Sequence, residues 1–125
     1  MTAMTLQPPP GFRVKRVYDT PDPDDGTRVL VDRLWPRGIS KAQARVDRWP
    51  KELTPSTELR RWFHADRDAR ATEFADRYRD ELASAQAQQD LRELRALAAE
   101  GPVTLLTAVQ DPAHSHVTVL LDLLR

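Results

Sequence analysis

The chain contains no cysteine. That absence removes a disulfide framework, a thiolate metal site and a cysteine nucleophile together. No run of roughly 18 apolar residues occurs, so no segment reads as a membrane span. A globally basic nucleic-acid footprint is missing as well, because 19 Lys+Arg residues face 19 Asp+Glu residues and the formal net charge is zero. Lysine itself is scarce: Lys15, Lys41 and Lys51 are the only three. Most of the arginines fall in helical, solvent-facing contexts where lysine would serve as well, as a GC-rich coding bias produces. Met1 to Gly11 has neither a basic start nor an apolar stretch of signal-peptide length, and it carries Pro8, Pro9 and Pro10 in a row. It reads as a disordered tail, residues 1–11, before one domain over 12–125. With no leader and no span, the expected location is the cytoplasm. A chain of 125 residues suits a single core, and a domain of that size buries roughly two-thirds of its unfolded surface without staples.

What is present follows an α/β order. Arg13 to Tyr18 is β-rich and stops at the Pro- and Asp-dense stretch Asp19 to Gly26. Arg28 to Asp32 has three consecutive apolar residues, as a strand buried on both faces has. Ser40 with Gln43 forms a capping box for a short helix, and Arg45 to Trp49 is read as another short strand. Thr54-Pro55 is predicted to open a helix reaching His64. Phe74, Tyr78 and Leu82 recur every fourth residue in a helix from Ala69 to Ala85, and Leu91, Leu94 and Leu97 mark another from Gln88 to Ala99. Gly101-Pro102 ends it. Val103 to Val109 is a second apolar strand, and Asp111-Pro112 is read as the start of a last helix bearing Val117, Leu120, Leu121 and Leu124 on one face. The predicted fold class is α/β: a small, mainly parallel sheet flanked by helices in a single layered domain.

In such sheets ligands collect beyond the carboxyl ends of the strands. Two segments meet that description. Asp32, Arg33, Trp35, Pro36, Arg37 and Gly38 follow the first buried strand; Gln110, Asp111, His114, Ser115 and His116 follow the last. If those strands are neighbours, arginine forks, an indole, imidazoles and a helix start share one edge, which suits an anion. Alternatives stand beside each residue. Arg33 either clamps an anion or pairs with Asp32. Trp35 either flanks a ligand or fills core. Arg37, between proline and glycine, has no packing reason to be a long cation. His116 is the candidate general acid or base, or else a buried hydrogen-bonded histidine. His114-x-His116 with His64 as the third imidazole matches no familiar metal spacing, so neither metal nor cofactor is expected. His64 ends a helix behind Arg60, Arg61, Trp62 and Phe63, where a cation suits the dipole. Trp62 and Phe63 cannot both face one core, so one of them is expected at a cleft or interface.

The runs Lys15-Arg16-Val17-Tyr18-Asp19, Gly26-Thr27-Arg28-Val29-Leu30-Val31-Asp32-Arg33-Leu34-Trp35-Pro36-Arg37-Gly38 and Trp49-Pro50-Lys51-Glu52-Leu53-Thr54-Pro55-Ser56-Thr57-Glu58-Leu59-Arg60 resemble the short YeaO-like members of the domain of unknown function 488 family. The resemblance implies a bacterial α/β domain and no established activity. It carries over Asp32, Arg33, Trp35, Pro36, Arg37 and Gly38, the stretch from Trp49 to Arg60, His64 and His116. Longer members of the wider family have a cysteine before the histidine of the final loop. Ser115 stands there instead, so a thiol mechanism does not transfer.

The expected function is a small enzyme or ligand-binding protein for an anionic, phosphorylated or nucleotide-like small molecule. Arg33 and Arg37 would clamp it, Trp35 would flank it, Asp32, Gly38, His64 and Ser115 would line the site, and His116 would move a proton. The alternative is a nucleic-acid-binding or regulatory module using Arg60, Arg61, Arg67, Arg70, Arg77 and Arg79, although acidic residues interleave with those arginines.

Overall fold

The second apolar run forms a strand, β3, whose five residues Val103–Thr107 are all buried. A strand with no exposed residue must be central and covered on both faces. The computed structural model, which describes residues 7–125, places it so: numbered in chain order, β1 (Phe12–Arg16) and β2 (Thr27–Leu30) flank β3 in a parallel sheet of order β1-β3-β2. Phe12 and Thr27 stand opposite Val103, and Val14 and Val29 stand opposite Leu105. Partners in register share a face, so these residues form one apolar surface and Lys15, Arg28, Leu30, Thr104 and Leu106 the other.

The helices are α1 (Lys41–Ala44), α2 (Thr57–His64), α3 (Arg67–Glu81), α4 (Ala85–Glu100) and α5 (His116–Leu124). The first sheet face packs on α2 to α5 through Leu59, Phe74, Tyr78, Leu91, Leu120 and Leu121, all buried. The every-fourth spacing of Phe74, Tyr78 and Leu82 therefore marks the core face of α3, as expected. The second face is covered by α1 and a smaller cluster in which Val17, Leu30, Ala44 and Leu106 are buried beneath Trp35, Ile39 and Trp49.

Between β1 and β2 the chain crosses the sheet without an α-helix, using one 3-10 turn at Pro23–Asp25. A parallel crossover of this kind usually carries a helix. Charge fastens this one instead. The Asp25 carboxylate, 3% exposed, accepts from Lys15 Nζ at 3.1 Å and Arg28 Nη1 at 2.5 Å. Arg28 also donates to the Ala44 carbonyl through Nε at 3.1 Å and Nη2 at 2.8 Å, tying α1 to the same point. Burial drives the Asp25 carboxyl upward, but the Asp22 N–H and the two cations outweigh it and leave it below the ordinary carboxylate range. The crossover returns through Gly26 at φ +64°, where a Cβ would lie 2.0 Å from the Pro102 carbonyl oxygen. Only glycine fits there.

Several local expectations shift. The helix predicted from Thr54-Pro55 starts at Thr57 with Ser56 as its cap, because Ser56 Oγ accepts the Leu59 N–H while Thr54 Oγ1 donates back to Lys51 O at 2.6 Å. Asp111-Pro112 opens only a 3-10 turn, and Ser115 caps α5. Arg45 to Trp49 is not a strand: Arg45 sits in the left-handed region at φ 49°, and only Arg48 bridges to Val29. The Ser40–Gln43 capping box is present as predicted. Of the expected tail, residues 1–6 lie outside the described residues. Pro9 is buried, its carbonyl accepts from Phe12 N, and Gly11 O accepts from Val103 N at 2.8 Å.

Removing one partner from a buried charge cluster leaves the others unpaired, which costs about 3–5 kcal/mol. Asp25→Ala is accordingly expected to lower the unfolding free energy by about 3 kcal/mol or more, read as a shifted urea midpoint. A change under about 1 kcal/mol would show that the Lys15–Asp25–Arg28 cluster does not fasten the crossover.

Candidate functional site

Since β2 and β3 are neighbours, the two loops expected to converge do so. Asp32, just past β2, reaches across to the end of β3: its Oδ1 accepts from Thr107 Oγ1 at 2.8 Å and its Oδ2 from Ala108 N at 2.7 Å. His116, the first residue of α5, brings Nε2 to 3.3 Å from Asp32 Oδ1 and 2.8 Å from the Val31 carbonyl oxygen. A carbonyl only accepts, so this contact assigns the proton to Nε2. The ring Nδ1 has no protein partner among the described residues, where no buried side-chain nitrogen or oxygen lacks one, so Nδ1 meets solvent. Burial drives the Asp32 carboxyl upward; the His116 hydrogen bond and charge, the Ala108 N–H and the Thr107 hydroxyl together reverse this and hold it below the ordinary range. Behind the pair, Tyr78 meets the imidazole edge-on at 6.1 Å and donates its hydroxyl to Leu53 O. Its phenol is held well above the ordinary value by burial and by the Glu81 and Asp32 charges, so it stays a neutral donor.

The other residues expected at this edge disperse. Arg33 pairs with no carboxylate among the described residues; its Nε donates to Pro55 O at 3.0 Å, and Nη2 lies 3.4 Å from the carbonyls of Thr54 and Lys51. Trp35 packs edge-to-face on Trp49 at 5.6 Å and donates Nε1 to Ile39 O at 2.8 Å. Ser115 Oγ donates to Pro112 O and accepts from Val117 N, which makes it the helix cap. His64 accepts from Arg67 at the far end of α2, and burial with the Arg67 and Arg60 charges depresses its pKa. His114 turns to Asp111 at 2.6 Å, away from His116. Among the described residues no group of three His, Asp or Glu side chains is placed to hold a metal. Phe63 packs on Phe74 at 4.4 Å and Trp62 lies under Arg70 and Arg77, yet both are part-buried against the same core, so the expected division of the pair is not seen. The arginines of α3 are likewise occupied: Arg77 with Glu73, and Arg79 with Asp76 and Asp122.

Arg37 is exposed, and its guanidinium has no partner among the described residues. Gly38 beside it, at φ +77°, borders an open cleft of about 570 Å³ whose walls include Tyr18, Pro21, Ile39 and Arg45. Tyr18 donates its hydroxyl to Arg37 O at 2.9 Å. Arg16 lies over the Tyr18 ring at 5.1 Å and donates to Ala108 O and Val109 O. Sequence reasoning missed Arg16, Tyr18 and Arg45. Their one signal was position, at and just past the end of β1 and directly after the first capped turn.

A family profile described as the inactive DUF488-N3 subclade matches residues 11–125. The chain belongs to the DUF488 family. An uncharacterised protein of Mycobacterium tuberculosis H37Rv is 51% identical to it over 112 residues, 90% of this chain and 92% of that protein. The uncharacterised protein YeaO of Escherichia coli K12 is 48% identical over 114 residues, 91% of this chain and 96% of that protein. No solved structure matches. The YeaO-like resemblance carried by the Asp32–Gly38 string is thus a family membership, with bacterial relatives. Among the described residues, no helix of this member is long and apolar enough to cross a membrane.

A carboxyl whose folded pKa is depressed contributes stability that is present above its unfolded value, near 3.9. That contribution fades as the pH falls through the lower folded value. The unfolding free energy should therefore fall from pH 5 toward pH 2, and more steeply in the wild type than in Asp32→Asn, since Asp25 supplies the same slope to both proteins. Parallel curves in chemical denaturation would show that the Asp32 carboxylate is not stabilised by His116 and the end of β3.

Proposed function

We propose that this protein binds an anionic small molecule in the cleft between the Tyr18–Pro21 turn and the Gly38–Arg45 segment, and does not transform it. The observation that carries the reading is the state of two cations, Arg45 in the cleft wall and Arg37 next in the chain to Gly38 of that wall. Arg37 is unpaired among the described residues and Arg45 lines the cleft, whereas Arg33 and Arg16 are spent on backbone carbonyls. An unpaired guanidinium beside a cleft offers a fork for a carboxylate or phosphate. Absence of turnover is supported from two sides. Asp32 and the Nε2 side of His116 are consumed by Thr107, Ala108 and Val31, leaving no acid–base pair aimed at the cleft. The matching family profile is also described as inactive.

Arg45 supports the same reading through its backbone. As the residue closing α1 it adopts φ 49°, where glycine is the favourable choice and a side chain is strained by roughly 1 kcal/mol. An arginine held there at that cost has a use for its side chain.

Thermal denaturation with phosphate and with pyrophosphate, against sodium chloride at matched ionic strength, tests this. A ligand at about 100 times its Kd stabilises by about 2.7 kcal/mol, a shift of several degrees for a chain of this size. We expect that shift in the wild type and its loss in Arg37→Ala/Arg45→Ala. Equal stabilisation of both proteins, or of neither, would overturn the proposal.

A further inference from the structure

We infer that the occupant of this cleft carries a planar nitrogen heterocycle stacked on Tyr18, which makes a mononucleotide its chemical class; the inference rests on the anion-binding reading above. Tyr18 is 43% exposed, although it is a large aromatic on a domain that buries its other tyrosine completely. An exposed aromatic is ordinarily free to move. This one is fixed from two sides, by the hydrogen bond from its hydroxyl to Arg37 O and by the Arg16 guanidinium over the ring. Arg16 is fixed in turn by the carbonyls of Ala108 and Val109 and, at its backbone N–H, by Asp19 Oδ2 at 3.1 Å. The ring is thus a rigid platform before any ligand arrives, so little entropy is lost when a flat group settles on it.

The cleft walls fit the two ends of such a ligand. At Gly38 nothing lies within 4 Å of the place a Cβ would occupy, which leaves room for a flat ring to approach the backbone. Asp19 is the one carboxylate in the wall, and its Oδ1 has no partner among the described residues. A carboxylate repels a bare polyanion but accepts from the N–H of a base. Arg45 stands in the same cleft and Arg37 beside Gly38, available to a phosphate. A donor-bearing ring at one end and a phosphate at the other satisfies both signs of charge; inorganic phosphate satisfies only one.

Isothermal titration with AMP, UMP and ribose 5-phosphate separates the parts. Stacking on one aromatic changes affinity by roughly tenfold or more and tolerates either base. We expect AMP and UMP to bind at least about tenfold tighter than ribose 5-phosphate, with the advantage lost in Tyr18→Leu and kept in Tyr18→Phe. Equal affinity for all three ligands, still dependent on Arg45, would overturn the heterocycle and leave the anion reading standing. No binding of any of the three, with no stabilisation by phosphate, would overturn both.

Discussion

The carboxyl edge of the sheet depends on one side chain reaching sideways. Asp32 belongs to the end of β2, yet its two oxygens are filled by Thr107 and Ala108 at the end of β3 and by His116 at the start of α5. Ladder hydrogen bonds stop where the strands stop, and beyond that point buried N–H and hydroxyl groups need other partners. One carboxylate supplies them for three groups at once. Its backbone oxygen adds a fourth by accepting from Trp49 Nε1 at 2.7 Å, which anchors the smaller core. The same acidic group that makes the loop resemble a catalytic one is thereby the fastener that brings the loops together.

That arrangement divides the polar residues of the edge into two sets. Asp32, His116, Tyr78 and Arg33 bind protein groups. Arg37, Gly38 and Tyr18 are exposed, and Arg16 with the carbonyls after β3 links the end of β3 to the Tyr18 ring. Side chains consecutive in sequence thus end in different environments: Arg33 clasps the turn before α2, Trp35 fills core and Arg37 is free. The Pro36–Gly38 kink prevents a regular strand or helix from imposing one direction on them.

Much of the fold was legible because periodicity reports burial. The uniform apolarity of Val103–Thr107 announced a central strand, and the every-fourth residues of α3 announced its core face. Capping was legible only where one candidate existed. Ser40 had no rival and was placed correctly; Thr54 and Ser56 both precede plausible helices, and Glu81 settled the matter by accepting from the Ser56 N–H and hydroxyl at 2.9 and 2.5 Å. Glu81 lies a helix away, so no local pattern contains that information. The Lys15–Asp25–Arg28 cluster was hidden for the same reason: an aspartate in a Pro/Asp-rich loop looks solvated until the crossover brings it onto cations from β1 and β2. At the site, convergence of the two loops followed from strand order, but the partners of each guanidinium did not.

Ser115 shows how the edge stays ordered without a nucleophile. A residue ahead of His116 is well placed for chemistry only if its side chain points to the imidazole. Here Oγ bonds Pro112 O at 2.8 Å and the Val117 N–H at 3.2 Å, and the Ser115 carbonyl accepts from Thr118 Oγ1 at 2.9 Å, so its hydroxyl and carbonyl are both used to begin α5. The cap fixes the first turn of that helix, and the first turn carries His116 onto Val31 and Asp32. A hydroxyl suits this task because it donates and accepts at once, whereas a thiol does both weakly. Serine at this position therefore gives a strong helix start, and the edge it stabilises is the wall on which Arg16, and through it Tyr18, is mounted.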